Sequence, residues 1–290
     1  MSVLVVRKPT NMEQHGAAVK EQIARGLLSA DHLSHLQEAH REHYQCLSKV
    51  REVLEANKLA YHEVARGDQW PDSAEYDCII TVGGDGTLLS ASQKVLKGEN
   101  VIGVRSSQSS VGYLCAGDTE MLESLVRRYL DDKLVFDSCS RLEATISRLE
   151  SGEKEQTCPV LNDFLLANFN PAATTRYAIK VGSMSEVHKS SGIWVSTAVG
   201  STAGIAAAGG QRIQRTDTRL QYLVRELYRG DGGDYHLGGG FFDPDIEPLI
   251  VENRNEAAML ALDGQREVIN LSFGDRVMFK RGPEIKIARG

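Results

Sequence analysis

Features that would direct the protein to a membrane, to secretion or to a nucleic acid are scarce in this sequence. No apolar run in the 290 residues approaches the roughly 20 residues of a membrane-spanning helix. Residues 1–7, followed at once by Lys8 and Pro9, are typical of a first strand and not of a signal peptide. Basic residues number 33 against 39 acidic ones, a net charge of −6. We therefore expect neither a membrane nor a nucleic acid as partner.

Cysteine is scarce as well, and its distribution follows no pattern. The five cysteines are odd in number and lack the close pairs that bind zinc: Cys46, Cys78, Cys115, Cys139 and Cys158. Such cysteines indicate reduced thiols in a reducing compartment. We therefore predict a cytoplasmic location and no metal held by the protein.

The first part of the chain alternates strands with helices. Apolar runs predict buried strands over residues 3–6, 59–64, 77–82 and 100–104. Leucine and valine at helical spacing between Leu33 and Leu54 predict a long helix, with a cap or break at residues 29–31, and residues 87–95 predict a shorter helix. This alternation implies a parallel sheet with helices on its faces, a Rossmann-like α/β arrangement.

The pattern changes near Leu134. Period-two alternation at residues 141–146, 176–181 and 192–196 predicts strand after strand, interrupted by one short helical stretch at 202–208. The far C-terminus, residues 284–288, is again strand-like. We predict an α/β domain over residues 1–136 and a β-rich domain over residues 137–281.

Residues 82–89, Val-Gly-Gly-Asp-Gly-Thr-Leu-Leu, join the end of a strand to the start of a helix. Ligands bind at this edge of open α/β sheets, glycines allow the backbone to approach phosphates, and a helix start offers free N–H groups. A carboxylate is unwelcome beside phosphates, so Asp85 makes sense as a base for an attacking hydroxyl or as an aid in holding Mg²⁺. The alternative is a tight turn capped by Asp85, but the strand–turn–helix context favours function.

Two further segments combine polar residues with apolar runs. Asn162 and Asp163 interrupt residues 160–166, and alone they favour a turn or a β-bulge; the functional alternative is a pair that binds sugar hydroxyls. Residues 190–204 deliver glycine and small hydroxyl residues to a helix start. That segment is either a second seat for a phosphate or base, or a device for close helix packing.

Taken in order, GGDGTLL at 83–89, LND at 161–163 and VSTAVGSTAGIAAAGG at 195–210 resemble the NAD kinase family. GGDG alone is shared with diacylglycerol and sphingosine kinases, and loosely with phosphofructokinases, whereas STxxGSTA followed by a double glycine is more specific. The resemblance covers most of the chain and includes segments 101–104 and 111–114 and the late turn Leu262-Asp263-Gly264.

The resemblance implies a fold, two substrates and an assembly. The fold is an α/β nucleotide-binding domain plus a β-rich domain, with a last strand, about residues 282–290, that returns to the first domain. The phosphate donor is ATP with Mg²⁺, the acceptor is NAD or NADH, and the family builds its acceptor site with help from a neighbouring subunit. We therefore expect at least a homodimer.

The resemblance also assigns roles to individual residues. Asp85 matches the catalytic aspartate. The phosphate loop is matched by Gly83, Gly84, Gly86 and Thr87, and the following loop by Tyr113. The pair that binds the ribose is matched by Asn162 and Asp163, and Ser191 borders the acceptor site. The loop that lines the dinucleotide is matched by Thr197, Gly200, Ser201, Thr202 and Ala203, and we expect all of these residues to bind substrate.

Two departures from the family pattern border the acceptor site. Many members have Gly-Asp-Gly where this chain has Ser-Ser-Gly at 190–192, and tyrosine where it has Gly204. Together with residues 220–226, these departures resemble the NADH-kinase branch. Because NAD carries its nicotinamide as a cation, the loss of an aspartate at Ser191 favours NADH slightly. We expect NADH to be used at least as well as NAD.

Other features have less specific interpretations. His32, His35, His40 and His43 share one predicted helix, which favours a solvated or partner-facing surface over a zinc site. Residues 230–240 contain six glycines and predict a mobile loop; the aspartates that flank it lack calcium-loop spacing: Asp231, Asp234, Asp243 and Asp245. On a predicted strand, Arg225 and Glu226 form either an ion pair or a contact with a neighbouring subunit.

Three classes of function follow. The leading one is a kinase that transfers the γ-phosphate of ATP to the adenosine-ribose 2′-hydroxyl of NAD(H) and makes NADP(H). A lipid kinase would use the same GGDGT loop, but the STAVGSTA segment argues against it. A non-catalytic NAD(H)-binding sensor is the third, and the intact Asp85 argues against it.

Overall fold

The computed structural model describes residues 1–230 and 232–290, so Asp231, one of the aspartates flanking the glycine-rich segment, lies outside the described residues. The chain forms two compact units, Met1–Asp137 with Ile285–Gly290, and Ser138–Glu284. Each unit has its own apolar core. Among the described residues, no helix combines the length and the apolar character that crossing a bilayer requires.

The first unit is built on a parallel sheet with helices. Its elements, in chain order, are β1 (Ser2–Arg7), α1 (Asn11–Ala24), α2 (Ala30–Ala56), β2 (Ala60–Ala65), β3 (Cys78–Gly83), α3 (Asp85–Ser92), β4 (Asn100–Arg105), β5 (Gly117–Asp118) and α4 (Leu122–Leu130). The strand order is β4-β3-β1-β2, all parallel, and β5 pairs with β4. The predicted alternation of strands and helices is thereby confirmed.

Burial explains why these strands are short apolar runs. All six residues of β3 are buried, and alternate strand residues such as Ile80 and Ile102 share a core with Leu47 of α2 and Leu125 of α4. Strands that are covered on both faces contain few polar residues, whereas the residues that follow them are free to vary. Because the strands are parallel, their carboxyl ends lie at one edge of the sheet, which we call the carboxyl edge.

The second unit is almost entirely β-structure. Its elements are β6 (Phe136–Ser147), β7 (Lys154–Gln156), β8 (Asp163–Asn168), β9 (Thr175–Val181), β10 (Met184–Ser190), β11 (Ile193–Ser196), α5 (Gly204–Ala207), β12 (Leu220–Val224), β13 (Gly239–Phe242), β14 (Leu249–Asn253), β15 (Ala257–Leu262), β16 (Glu267–Ser272) and β17 (Arg276–Ala288). Antiparallel strands β13-β12-β11-β8-β15-β16 form one sheet, and β10-β9-β14-β17 form a second antiparallel layer. Side chains from both layers meet in one core, where the rings of Phe164 and Phe279 lie 5.6 Å apart.

The last strand, β17, contributes residues to both units. β17 pairs with β14 at Arg276–Phe279, and its end pairs in parallel with β4 through Lys286 with Asn100 and Ile287 with Val101. The predicted mixed α/β and β-rich fold, including the return of the last strand to the first sheet, is confirmed.

Some local predictions were wrong. β12 ends at Val224, and Glu226 has a positive φ of 39°, so Arg225 and Glu226 follow a strand and do not continue it. The glycine-rich segment is not a loop throughout, because Gly239 and Gly240 belong to β13 and pair with β12. The predicted helix at 87–95 begins at Asp85 and ends at Ser92.

Candidate active site

The GGDG turn lies at the carboxyl edge, between β3 and α3. Gly84 precedes α3 with an extended backbone, and a Cβ on it would lie 2.4 Å from the carbonyl oxygen of Val111. A Cβ on Gly83 would lie 2.1 Å from Oγ1 of Thr87. Both positions therefore need glycine because of close packing, and the space around the turn is set by the segment after β4.

That segment also holds Asp85 in place. The Asp85 N–H donates to the Val111 carbonyl at 2.8 Å, while its carboxylate accepts the N–H groups of Tyr113 at 3.2 Å and Leu114 at 2.9 Å. The two N–H groups bind different carboxylate oxygens, so each oxygen keeps a free lone pair. Asp85 is half-buried. The backbone thus orients its carboxylate, and the remaining lone pairs are available to a ligand.

Tyr113 and Thr87 differ in what they offer to a ligand. The Tyr113 side chain is 85% exposed, whereas Thr87 is buried beneath the turn. Gly86 is half-buried in the first turn of α3. The structure therefore brings the expected residues of the first unit together at one turn. Tyr113 is exposed to a ligand there, whereas Thr87 is buried and packs beneath the turn.

In the second unit, two motifs separated in sequence converge at the start of β8. The Thr197 N–H donates to the Asn162 carbonyl at 2.9 Å, and the Thr197 hydroxyl donates to the Leu161 carbonyl at 2.5 Å. A Cβ on Gly200 would lie 2.1 Å from the Asn162 carbonyl oxygen. The STAVGST segment therefore packs directly on the Leu-Asn-Asp segment, so the position of each segment depends on the other.

The hydroxyl groups of this second loop are used inside the protein. Ser201 Oγ donates to the Ile213 carbonyl at 3.3 Å and accepts the Ile213 N–H at 3.1 Å. Thr202 is exposed and donates to the Val199 carbonyl at 3.3 Å, while Ala203 is half-buried. Ser201 therefore shapes the loop, and Thr202 and Ala203 lie where a ligand can reach them.

Asp263 is a residue of this site whose importance the sequence did not reveal. Its carboxylate accepts the N–H of Asn162 at 2.7 Å and of Leu161 at 3.2 Å, and its own N–H donates to the Asp163 carbonyl at 3.0 Å. It is buried and has a positive φ of 46°. The Leu-Asp-Gly turn between β15 and β16 was the available signal, since aspartate followed by glycine tolerates this backbone.

Asp163 and Asp263 form a buried pair of carboxyl groups. Asp163 is 4% exposed. Burial, and secondly the charge of Asp263, raise the pKa of Asp163 from 3.8 to about 7, although Arg266 opposes the shift. Burial also raises the pKa of Asp263. At neutral pH Asp163 is therefore able to donate as well as accept a hydrogen bond, which suits recognition of a sugar hydroxyl.

Ser191 lies at the opposite end of β11 from Thr197. Five residues lie between them, four of which form β11, so the two positions are roughly 15–20 Å apart. Ser191 lines a cavity of about 410 Å³ with Arg176, Lys189 and Glu226, among others. The structure therefore does not bring Ser191 to Asn162 and Asp163 within one chain.

Gly204 is explained by its neighbour Trp194. A Cβ on Gly204 would lie 2.9 Å from Cη2 of the Trp194 indole. A tyrosine at position 204 would collide with this ring. The indole of Trp194 thus occupies the space next to the loop 199–202 in this chain.

The histidine prediction needs correction. His43 is fully buried, and its Nδ1 lies 2.8 Å from the Ser106 hydroxyl, so it is not part of a solvated surface. Burial and the charge of Lys8 lower the pKa of His43 to about 4. His32 and His35 are exposed. Within residues 1–230 and 232–290, no group of three or more histidine, cysteine, aspartate or glutamate residues could hold a metal ion.

Comparison with known proteins gives consistent results. No protein-family model matches the chain. A protein of Oryza sativa subsp. japonica, named "Probable NADH kinase", is 28% identical over 265 residues, which cover 84% of this chain and 80% of that protein. An NADH kinase of Arabidopsis thaliana is 28% identical over 264 residues, covering 84% and 82%. An NAD kinase of Caldicellulosiruptor saccharolyticus is 30% identical over 174 residues, covering 59% and 62%.

Two solved structures share the fold. A yeast NADH kinase complexed with NADH matches with a TM-score of 0.71 at 15% identity, covering 100% of this chain and 83% of that one. An NAD kinase from Archaeoglobus fulgidus in complex with ATP matches with a TM-score of 0.66 at 17% identity, covering 100% and 92%. The chain is thus similar over most of its length to proteins of the NAD kinase family. The predicted placement in its NADH-kinase branch is confirmed by the two plant relatives.

Proposed function

We propose that this protein transfers the γ-phosphate of ATP to the adenosine-ribose 2′-hydroxyl of NAD(H) and so makes NADP(H). The observation that carries the proposal is the orientation of the Asp85 carboxylate by the N–H groups of Tyr113 and Leu114 at the carboxyl edge of a parallel sheet. The relatives named NADH kinase and NAD kinase support the same reaction.

The donor is ATP carrying Mg²⁺. Kinases bind Mg²⁺ through substrate phosphates and one or two carboxylates, so the cation would arrive with the nucleotide. The start of α3, which follows Gly84, favours negative charge. Asp85 takes the proton of the attacking 2′-hydroxyl.

The acceptor ribose binds at the start of β8. Asn162 supplies an amide, and Asp163 supplies a carboxyl group that is close to half-protonated at neutral pH. A ribose diol both donates and accepts hydrogen bonds, so an amide beside a partly protonated carboxyl group matches it. Thr202 and Ala203 line the same ligand from the neighbouring loop.

The preferred redox form is NADH. The cavity at Ser191 is lined by Arg176 and Lys189 against one carboxylate, Glu226, and Arg225 lies beside the adjoining cavity. Surroundings with an excess of positive charge disfavour the cationic nicotinamide of NAD relative to the neutral ring of NADH. A second copy of the chain, in a homodimer, would supply its Ser191 to the acceptor, because within one chain Ser191 is far from Thr197.

The test is product formation by the purified protein with ATP, Mg²⁺ and, in separate reactions, NADH, NAD or a diacylglycerol. The proposal predicts NADPH and NADP as products, with kcat/KM for NADH at least equal to that for NAD. Phosphorylation of diacylglycerol without NADP(H) would identify a lipid kinase. Binding of NADH without any product would identify a sensor.

A further inference from the structure

Two basic residues follow neighbouring strands at the carboxyl edge of the first unit. Lys8 follows β1 and Arg66 follows β2, next to the GGDG turn that follows β3. The Lys8 N–H donates to the Val82 carbonyl at 3.1 Å, and the Arg66 N–H donates to the Arg7 carbonyl at 2.8 Å. These backbone bonds continue the ladder of the sheet, so Lys8 lies beside the turn and Arg66 lies one strand further away, next to the end of β1.

The Lys8 ammonium group is connected to a segment of serines. It donates to the Ser110 hydroxyl at 2.8 Å, which lies 2.9 Å from the Ser107 hydroxyl, and Ser107 in turn lies 3.0 Å from that of Ser109. Cβ of Ser110 would be 3.1 Å from a Cβ on Gly84. The chain of hydroxyl groups from Lys8 therefore borders the GGDG turn directly.

Neither cation has an acidic partner in the part of the chain that the structure describes. No carboxylate lies within 4.0 Å of the Lys8 ammonium or the Arg66 guanidinium group there. Glu42 is near, but its carboxylate accepts the Gln108 N–H at 3.0 Å. Lys8 is half-buried, and burial first, then the charge of Arg66, lower its pKa, while Glu42 partly opposes them. A half-buried ammonium group without a carboxylate partner is stabilised when an anion binds beside it.

We propose that Lys8 and Arg66, together with the serine segment 106–110, bind the phosphate chain of the donor. The proposal rests on the proposed function, in which the donor phosphates reach the GGDG turn. Lysine binds phosphate as a point charge, and arginine binds it as a fork, while serine hydroxyls donate to the remaining oxygens. The shared chemistry is a linear chain of phosphates, which ATP and inorganic polyphosphate both provide.

The experiment uses the full-length enzyme with Lys8→Gln, Arg66→Gln and the conservative Lys8→Arg. Lys97→Gln is the matched control, because it removes the same charge from the opposite edge of the sheet, where Lys97 precedes β4 and pairs with Asp72 at 3.3 Å. Steady-state kinetics give KM for ATP and for NADH. Calorimetry gives the affinity for Mg²⁺-ATP and for inorganic tripolyphosphate without any acceptor.

We expect each glutamine variant to weaken ATP and tripolyphosphate binding by about 10-fold or more, as for loss of a charge-assisted hydrogen bond. KM for NADH should change less than twofold, and Lys8→Arg should recover much of the loss. Lys97→Gln should bind both probes like the wild type. Turnover with ATP but not with tripolyphosphate would show that the donor must be a nucleoside triphosphate. Turnover with both would show that a phosphate chain without a nucleoside is enough. Either result is consistent with the proposed phosphate site.

Two results would overturn it. One is an affinity for ATP that stays within twofold of wild type in both glutamine variants. The other is a parallel rise in KM for NADH together with a lowered melting temperature, since that pattern means that Lys8 only supports the fold. A wild type that binds ATP but makes no NADP(H) would refute the proposed function. The phosphate site would still be tested, because calorimetry compares the affinities of the variants for ATP without any turnover.

Discussion

Replacing Asp163 with asparagine is expected to stabilise the folded second unit, and to do so more strongly as the pH rises. Burial and the neighbouring Asp263 raise the pKa of Asp163 from 3.8 to about 7. Below pH 3.8 the carboxyl group is protonated in both the folded and the unfolded chain, so it does not lower the free energy of unfolding. Between 3.8 and about 7 the folded protein alone holds the proton, and the free energy of unfolding falls with each step in pH.

The magnitude follows from about 1.4 kcal/mol per pKa unit. The cost is about 1.5 kcal/mol at pH 5 and reaches about 4 kcal/mol at pH 8, where it becomes constant. The asparagine side chain of the variant has no charge to bury, so Asp163→Asn should recover this free energy. Any effect of the new amide on packing is the same at every pH, and the change with pH is therefore the quantity to measure.

The assay is urea unfolding at pH 5 to 8.5, followed by tryptophan fluorescence. The chain has two tryptophans, Trp70 in the first unit and Trp194 in the second, so a Trp70→Phe background reports on the second unit. The stabilisation by Asp163→Asn should grow by about 2.5 kcal/mol from pH 5 to pH 8. A difference between variant and parent that is constant or shrinks over this range would refute the reasoning.

Asp275 provides a control of opposite sign in the same unit. Its carboxylate is buried, which raises its pKa, but hydrogen bonds from the Ser272 N–H at 2.9 Å, Arg148 at 2.8 Å and the Leu149 N–H at 3.0 Å outweigh burial and lower the pKa below 3.8. This stabilisation is present above pH 3.8 and is lost only as the pH falls through the lower folded value. Asp275→Asn should therefore destabilise the unit equally at pH 5 and pH 8.

Three further outcomes are expected. Asp85→Asn should lower kcat by about 10²–10⁴-fold and leave KM for NADH nearly unchanged, and near-wild-type turnover would remove Asp85 from the mechanism. Ser191→Asp should shift the ratio of kcat/KM for NADH over NAD toward NAD by roughly 1 kcal/mol, whereas an unchanged ratio would refute the electrostatic explanation. Sedimentation should show at least a homodimer, and a fully active monomer would mean that every acceptor contact lies within one chain.

The parallel sheet was predictable because its strands are buried on both faces. β3 and β4 are continuous apolar runs that end in glycine or polar residues, and such runs identify strands without knowledge of their partners. The GGDG turn was predictable for the same reason, since a buried strand passes directly into it. The closeness of Val111 to Gly84 was not, because it depends on a segment further along the chain that has no apolar pattern.

Long-range contacts also explain what the sequence did not reveal about the start of β8. Asp263 binds the N–H groups of Leu161 and Asn162 from a distant part of the chain, and only pairing of β15 with β8 brings it there. His43 could not be told from its exposed neighbours on α2, because its burial depends on Ser106. The predicted strand at 220–226 ends at Val224, and the positive φ of Glu226 is a backbone feature that its sequence does not announce.

The central claim is transfer of the terminal phosphate of ATP to the dinucleotide, and isotope transfer measures it most directly. The enzyme is mixed with γ-³²P-ATP, Mg²⁺ and NADH for a single turnover, and the labelled product is tested as a substrate for an oxidoreductase specific for NADP(H). We expect label in NADPH with the wild type, and labelling slower by about 100-fold or more with Asp85→Asn. Label that appears only in inorganic phosphate, or equal labelling by both proteins, would contradict it.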